Sequence, residues 1–174
     1  MSAHLRGVQR AHRTAPGALA LVLTIGAVLW LAALLLVPAV AAGSLGLPLL
    51  TYDLLNQAAG HICHQQRERS FQMGGLQLAV CARCLGLYLG GAAGTLAAWT
   101  QGLSASSRSR RALLVAALPT ALTVGLEWVG LWLPSNAVRF VSALPLGCTA
   151  GWVFVRTLRA EAKSATQDEC AIIP

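Results

Sequence analysis

Four apolar stretches divide this chain and set the frame for everything else. The first, residues 17–42, contains no charged side chain. About 20 such residues cross a hydrocarbon layer of roughly 30 Å, so it predicts a membrane-spanning helix. Further spans are predicted over residues 78–99, 112–133 and 137–158. The second holds one charge, Arg83; Glu127 lies inside the third, with Pro119, and Arg139 opens the fourth. Between the first two stretches the chain turns polar. Leu50, Leu54, Ala58 and Ile62 recur there every four residues, which predicts a short amphipathic helix lying at the interface. Gly74-Gly75 then breaks any helix. A polar linker over 101–111 separates the second and third spans, and Pro134-Ser135-Asn136 makes a tight connection between the third and fourth. Residues 1–16 and 159–174 are expected to be polar tails, the latter unstructured. The resulting expectation is an all-α membrane bundle of about four transmembrane helices, with a Cys/His loop over residues 61–84. A cleaved signal peptide is the alternative for the first stretch, given Ala39-Val40-Ala41. An apolar signal core runs only about 7–15 residues, far shorter than this one.

Within the second stretch, Ala82, Gly86, Gly90, Gly94 and Ala98 fall at every fourth position. Small residues at this spacing let two helix backbones approach closely in lipid. The stripe predicts a packing face for a neighbouring helix, in this chain or in a second copy.

Composition agrees with the pattern: 56% of the 174 residues are hydrophobic and 11% charged, against about 25% charged in a soluble domain. The formal charge of +7 does not imply nucleic acid, because the basic residues sit in short clusters flanking apolar stretches. Arg6, Arg10 and Arg13, then Arg108, Arg110 and Arg111, then Arg156, Arg159 and Lys163 share one side if there are four spans. By the positive-inside rule that side is cytoplasmic. Both termini are then cytoplasmic, the Cys/His loop faces outward, and the location is a plasma (inner) membrane.

Five cysteines are too few and too uneven for a disulfide scaffold. Cys148 reads as a packed thiol and Cys170 as incidental; His4 and His12 belong to the N-terminal tail. Cys81-Ala82-Arg83-Cys84 is a C-x-x-C at a helix start, where residues three apart share a face and the helix N-terminus favours thiolate. Cys63-His64 lies upstream, with His61 two residues before. Cys63, Cys81 and Cys84 with one imidazole, His64 or His61, make a Cys₃His set suited to zinc. Copper(I) or iron is compatible with the same donors. Glu68 and Arg69, with Arg67, are either a solvated face or support that orients His64 or a lipid headgroup.

Cys63-His64-Gln65, Glu68-Arg69-Ser70-Phe71, Gln77-Leu78, Val80-Cys81-Ala82-Arg83-Cys84, Gly86 and Tyr88-Leu89-Gly90 resemble the signature of a family of small predicted membrane proteins of bacteria and archaea. That family is known as a domain of unknown function. Asn136 and Arg139 resemble its Asn-x-x-Arg element. Arg67 and Ala79 replace prolines of that pattern, and Leu76 stands where a polar residue, often His, is expected. The resemblance implies a membrane location and a fold but no activity.

Glu127 is expensive in lipid, at about 2.5–3.5 kcal/mol on insertion scales. Its expected partner is Arg139, or alternatively Arg83. The pair either holds two helices in register or makes Glu127 a proton carrier or metal ligand. Three functions remain open. The first is an outward-facing metal site, structural or linked to ion handling. The second is a thiol–disulfide oxidoreductase using Cys81 and Cys84 with Cys63, similar in layout to quinone-linked membrane oxidases, with quinone as cofactor. The third is a scaffold docking a partner through Gly86, Gly90 and Gly94.

Overall fold

The computed structural model describes the backbone of residues 2–43, 46, 48–100 and 108–170, and the side chains of 17–43, 46, 48, 50–100 and 109–164. The side chains of His4, His12, Arg6, Arg10, Arg13, Arg108 and Cys170 lie outside that set. The elements in chain order are α1 (Ser2–Ala41), α2 (Leu49–Gly60), a 3₁₀ turn (Arg67–Arg69), β1 (Ser70–Met73), β2 (Leu76–Cys81), α3 (Ala82–Thr100), α4 (Arg108–Trp128) and α5 (Asn136–Cys170). The chain is mostly helical.

Among the described residues, three helical segments are long and apolar enough to cross a membrane: Gly17–Ala41, Ser109–Trp128 and Asn136–Ser164. Their outward faces are unlike those of a soluble domain. On α1, Val22 and Leu29 are exposed, and on α4 Leu114, Val115, Leu118 and Leu122 are each more than 60% exposed. An apolar surface of that extent suits lipid. On α2 the period-four residues Leu50 and Leu54 also face outward, as does Ile62 just past its end, while Ala59 is buried and Tyr52 and Leu55 pack on the core.

Helix α3 is the central element. It runs parallel to α5, with Gly86 against Phe140 and Ala143, Gly90 against Leu144 and Cys148, and Gly94 against Cys148. A Cβ at any of the three would collide with a backbone carbonyl of α5. The small-residue stripe is therefore spent on a helix of the same chain. α5 answers with a second pair, Gly147 and Gly151, whose added Cβ would strike the carbonyls of Leu87 and Gly91. α1 runs antiparallel to both: Gly17 lies beside Ala162, Trp99 Nε1 donates to Thr24 Oγ1 at 2.9 Å, and Trp30 meets Tyr88 edge-on at 6.2 Å.

Several boundaries differ from the sequence expectation. The second apolar stretch does not begin as helix. Residues 76–81 form β2, paired antiparallel with β1 in the register Ser70↔Cys81, Gln72↔Gln77 and Met73↔Leu76. Leu78-Ala79-Val80 is a short apolar run, which periodicity cannot assign to helix or strand. Gly74 and Gly75, at φ +59° and +80°, close the hairpin in the doubly left-handed turn that matches strand twist. The all-α expectation thus needs one hairpin added.

The third stretch ends as helix at Trp128, five residues before its predicted limit. The Gly130 N–H bonds to Glu127 O at 3.2 Å, and the Leu131 N–H to Leu126 O at 3.0 Å, with Gly130 at φ +73°. This pair of bonds around a left-handed glycine is a Schellman cap, and it leaves Glu127 in the last turn. The polar tails are also helical where described: α1 is continuous from Ser2, and α5 continues to Cys170. Residues 159–170 contain neither Pro nor Gly, so nothing local stops α5.

Candidate metal centre

The site forms where α2 ends and the open end of the hairpin, at Cys81, meets α3, α4 and α5. Cys63 follows α2 directly; its N–H continues the helical pattern to Ala59 O at 2.9 Å, and its side chain is buried. Cys81 is the last residue of β2, and Cys84 lies in the first turn of α3. The Cys81 N–H donates to Cys63 Sγ at 3.2 Å. Cys81 Sγ and Cys84 Sγ are 3.3 Å apart, within hydrogen-bond distance. All three sulfurs lie within 4.8 Å of one another. The hydrogen bond with Cys84 is the main cause holding the Cys81 thiol down to about 5, against the upward push of burial. A thiolate at Cys81 is the form that ligates and attacks.

The two histidines separate. His61 is exposed at the C-cap of α2, its Nδ1 2.7 Å from Gln57 O, and stays outside the sulfur group. His64 is exposed too, yet it lines the same cavity as the three cysteines. Among the described residues, the group that closes within 4.8 Å is the three sulfurs alone.

A polar network holds the loop in place, and sequence reading assigned its members no task. Gln65 sits at φ +49°, a sparsely occupied region for a residue with a side chain. Its side-chain amide donates to Asn56 O at 2.9 Å and Ala79 O at 2.8 Å. Gln77 Nε2 donates to Gln65 O at 2.7 Å and to Ser70 Oγ at 3.3 Å. The Ser70 hydroxyl donates to Gln66 O at 2.8 Å, and Asn136 Nδ2 to Ser70 O at 3.2 Å. These bonds tie α2, the hairpin and α5 together. Replacing Gln65 by Ala leaves two partly buried carbonyls without their donor while keeping the unfavourable φ. The expected cost is about 2–3 kcal/mol, read as a lowered unfolding midpoint in detergent. An unchanged midpoint would show that the loop is held elsewhere.

Beside the sulfurs lies a charged cluster. Glu127, 8% exposed, accepts from Arg139 Nη2 at 2.8 Å, Arg83 Nη2 at 3.1 Å and Arg69 Nη2 at 3.2 Å. Both expected partners are therefore engaged at once. Arg69, read as a solvated-face residue or as support for His64 or a headgroup, reaches Glu127, and Glu68 is exposed on the 3₁₀ turn. Arg139 also donates to Asn136 Oδ1 at 3.1 Å, so the Asn-x-x-Arg element orients its own arginine. The three-to-one stoichiometry was not legible from spacing, because the four residues lie on four separate elements. Arg69, Arg83 and Arg139 share the walls of a cavity of about 310 Å³ with Cys63, Cys81, Cys84 and His64.

Comparison with known proteins places the same segment in a family. The chain is 31% identical over 87 residues to an uncharacterised protein of Methanothermobacter thermautotrophicus, covering 50% of this chain and 78% of that protein. It is 33% identical over 90 residues to an uncharacterised protein of Methanocaldococcus jannaschii, covering 51% of this chain and 58% of that protein. No solved structure matches it. The family model for predicted membrane proteins designated DUF2085 matches residues 63–153, from the first site cysteine to well inside α5, and the chain belongs to that family.

Proposed function

We propose that this membrane protein holds a transition metal, zinc by donor chemistry, through Cys63, Cys81 and Cys84, with the fourth coordination position facing the cavity. One observation carries the reading: three sulfurs from α2's end, β2 and α3 converge within 4.8 Å of one another. Zinc–sulfur bonds of about 2.3 Å in a tetrahedron put the sulfurs about 3.8 Å apart, so small side-chain adjustments suffice. His64, on the cavity wall, is the protein group that could close the site. Left open, the fourth position makes the centre a place for exchange, linked to metal or ion handling.

The same reading takes α3 as a fourth span. Its 19 residues extend about 29 Å at 1.5 Å each, close to the hydrocarbon thickness. Four spans put both termini on the side rich in Arg110, Arg111, Arg156 and Arg159, taken as cytoplasmic. The metal centre then faces outward from a plasma membrane.

The test is elemental analysis of protein purified anaerobically in detergent without a polyhistidine tag, beside Cys84→Ser. About one equivalent of zinc, copper or iron in the parent is expected, with loss of most of it in the variant. Metal absent from both removes the reading. Metal retained in full by a correctly eluting Cys84→Ser variant removes Cys84 from the site.

One observation favours a second reading, a thiol–disulfide oxidoreductase. The Cys81 and Cys84 sulfurs are already 3.3 Å apart, and Cys63 is within reach of the pair. Oxidation would form the Cys81–Cys84 bond, releasing two electrons and two protons to a quinone, which becomes the quinol. Metal-free reduced protein given a short-chain quinone would then lose two thiols per quinol formed. Thiol counts that do not change exclude it.

A further inference from the structure

The Glu127 cluster is not electrically closed. Arg69, Arg83 and Arg139 bring three positive charges to one carboxylate, an excess of two. Arg139 has a side chain only 9% exposed, and Arg83 one only 18% exposed. Each also carries a buried Nε–H with no hydrogen-bond acceptor among the described residues. Buried donors left unpaired are costly, and unbalanced buried charge more so. Arginine interiors of this kind are otherwise satisfied by planar or tetrahedral anions, whose oxygens match the guanidinium fork. All three arginines line the cavity of about 310 Å³, large enough for a tetrahedral oxyanion with attached atoms.

We propose that this cavity is an anion site for a phosphate-class group, held by Arg69, Arg83 and Arg139 and oriented by Glu127. The group is either a free oxyanion or the phosphate of an anionic lipid headgroup; the chemistry of recognition is the same. Glu127 acts as a positioning residue. It accepts one Nη2 from each arginine, which spreads the three guanidinium groups around a common point; Arg139 Nη1 is given to Asn136 Oδ1, and the Nη1 groups of Arg69 and Arg83 are the donors that face a ligand. The site does not depend on the metal reading, because its donors are nitrogens and not the sulfurs.

The test is thermal unfolding of the full chain in a nonionic detergent, after chelation to remove metal. One arm compares 10 mM inorganic phosphate with chloride at equal ionic strength. The other compares mixed micelles containing phosphatidylglycerol with micelles containing phosphatidylcholine. A ligand that binds only the folded state raises the midpoint. A shift with phosphate identifies a free oxyanion; a shift with phosphatidylglycerol alone identifies a headgroup. Either shift must shrink in Arg69→Ala, with an apparent affinity weaker by about tenfold, as for one charge-assisted hydrogen bond. Arg69 is 44% exposed, so this variant keeps the fold, and Arg69→Lys should recover part of the affinity. No shift in either arm overturns the proposal. A shift that Arg69→Ala leaves intact overturns the assignment to these arginines.

Discussion

Glu127→Ala should be the most damaging single substitution in this protein. The carboxylate is 8% exposed and is the shared acceptor of three guanidinium groups. Its removal leaves Arg83 and Arg139 mutually repelling in a site that solvent barely reaches. Removing one partner of a buried ion pair costs about 3–5 kcal/mol. Arg69, nearly half exposed, adds little to that figure because water screens it. For a chain of this length, such a loss lowers the unfolding midpoint by about 6–20 °C. The measurement is circular dichroism on heating in detergent, with the double variant Glu127→Ala/Arg139→Met as the second leg. Taking away a charge together with its partner should restore part of the loss. A single variant as stable as the parent would mean that the arginines find their counter-charge elsewhere.

The second large effect is expected at the helix crossing. Gly94→Ala places a methyl group against the backbone of Cys148. Backbone cannot rotate away as a side-chain tip can, so α3 and α5 must separate. Overpacking of this kind typically costs about 1–3 kcal/mol, and Gly94→Leu should cost more. Gly125→Ala is the matched control: nothing lies within 4 Å of its added Cβ, and α4 is helical there. It should be neutral or stabilising by up to about 1 kcal/mol, since alanine is the better helix former. Unfolding midpoints of the two variants, measured side by side, decide the matter. Equal changes would show that the close approach of α3 and α5 contributes nothing specific.

The cap at Gly130 connects these effects. Glu127 occupies the last turn of α4, where the helix dipole disfavours a carboxylate. The Schellman cap stops the helix there and turns the chain, so that Asn136 and Arg139 return at the same level. Without that stop, an α4 running to residue 133 would carry the chain about 7 Å further before it could turn, at 1.5 Å per residue. The short tether between Glu127 and Arg139 is thus a consequence of a backbone conformation, not only of side-chain attraction.

Much of this molecule was determined locally and was therefore legible in the chain. Long apolar runs specify membrane helices because lipid offers backbone groups no partner outside a helix. Cys63, Cys81 and Cys84 stood out as a donor set because thiols are scarce and these three are close in sequence. Glu127 stood out because a carboxylate in an apolar run is costly. A glycine at every fourth position of α3 announced a close neighbour.

What remained was decided by encounters between distant segments. Residues 76–81 became a strand because Ser70–Met73 offered a ladder, a choice invisible in a short apolar run. The stripe of α3 met α5 of the same chain because Gly147 and Gly151 supply the complementary grooves. His61 capped its own helix rather than joining the thiols, while Gln65, Ser70, Gln77 and Asn136 took structural tasks defined only by the carbonyls they meet. The meeting of Arg69, Arg83 and Arg139 on one glutamate is wholly tertiary. Sequence spacing carries information over a few turns, whereas this cluster joins a loop and three helices, and low dielectric gives it its strength.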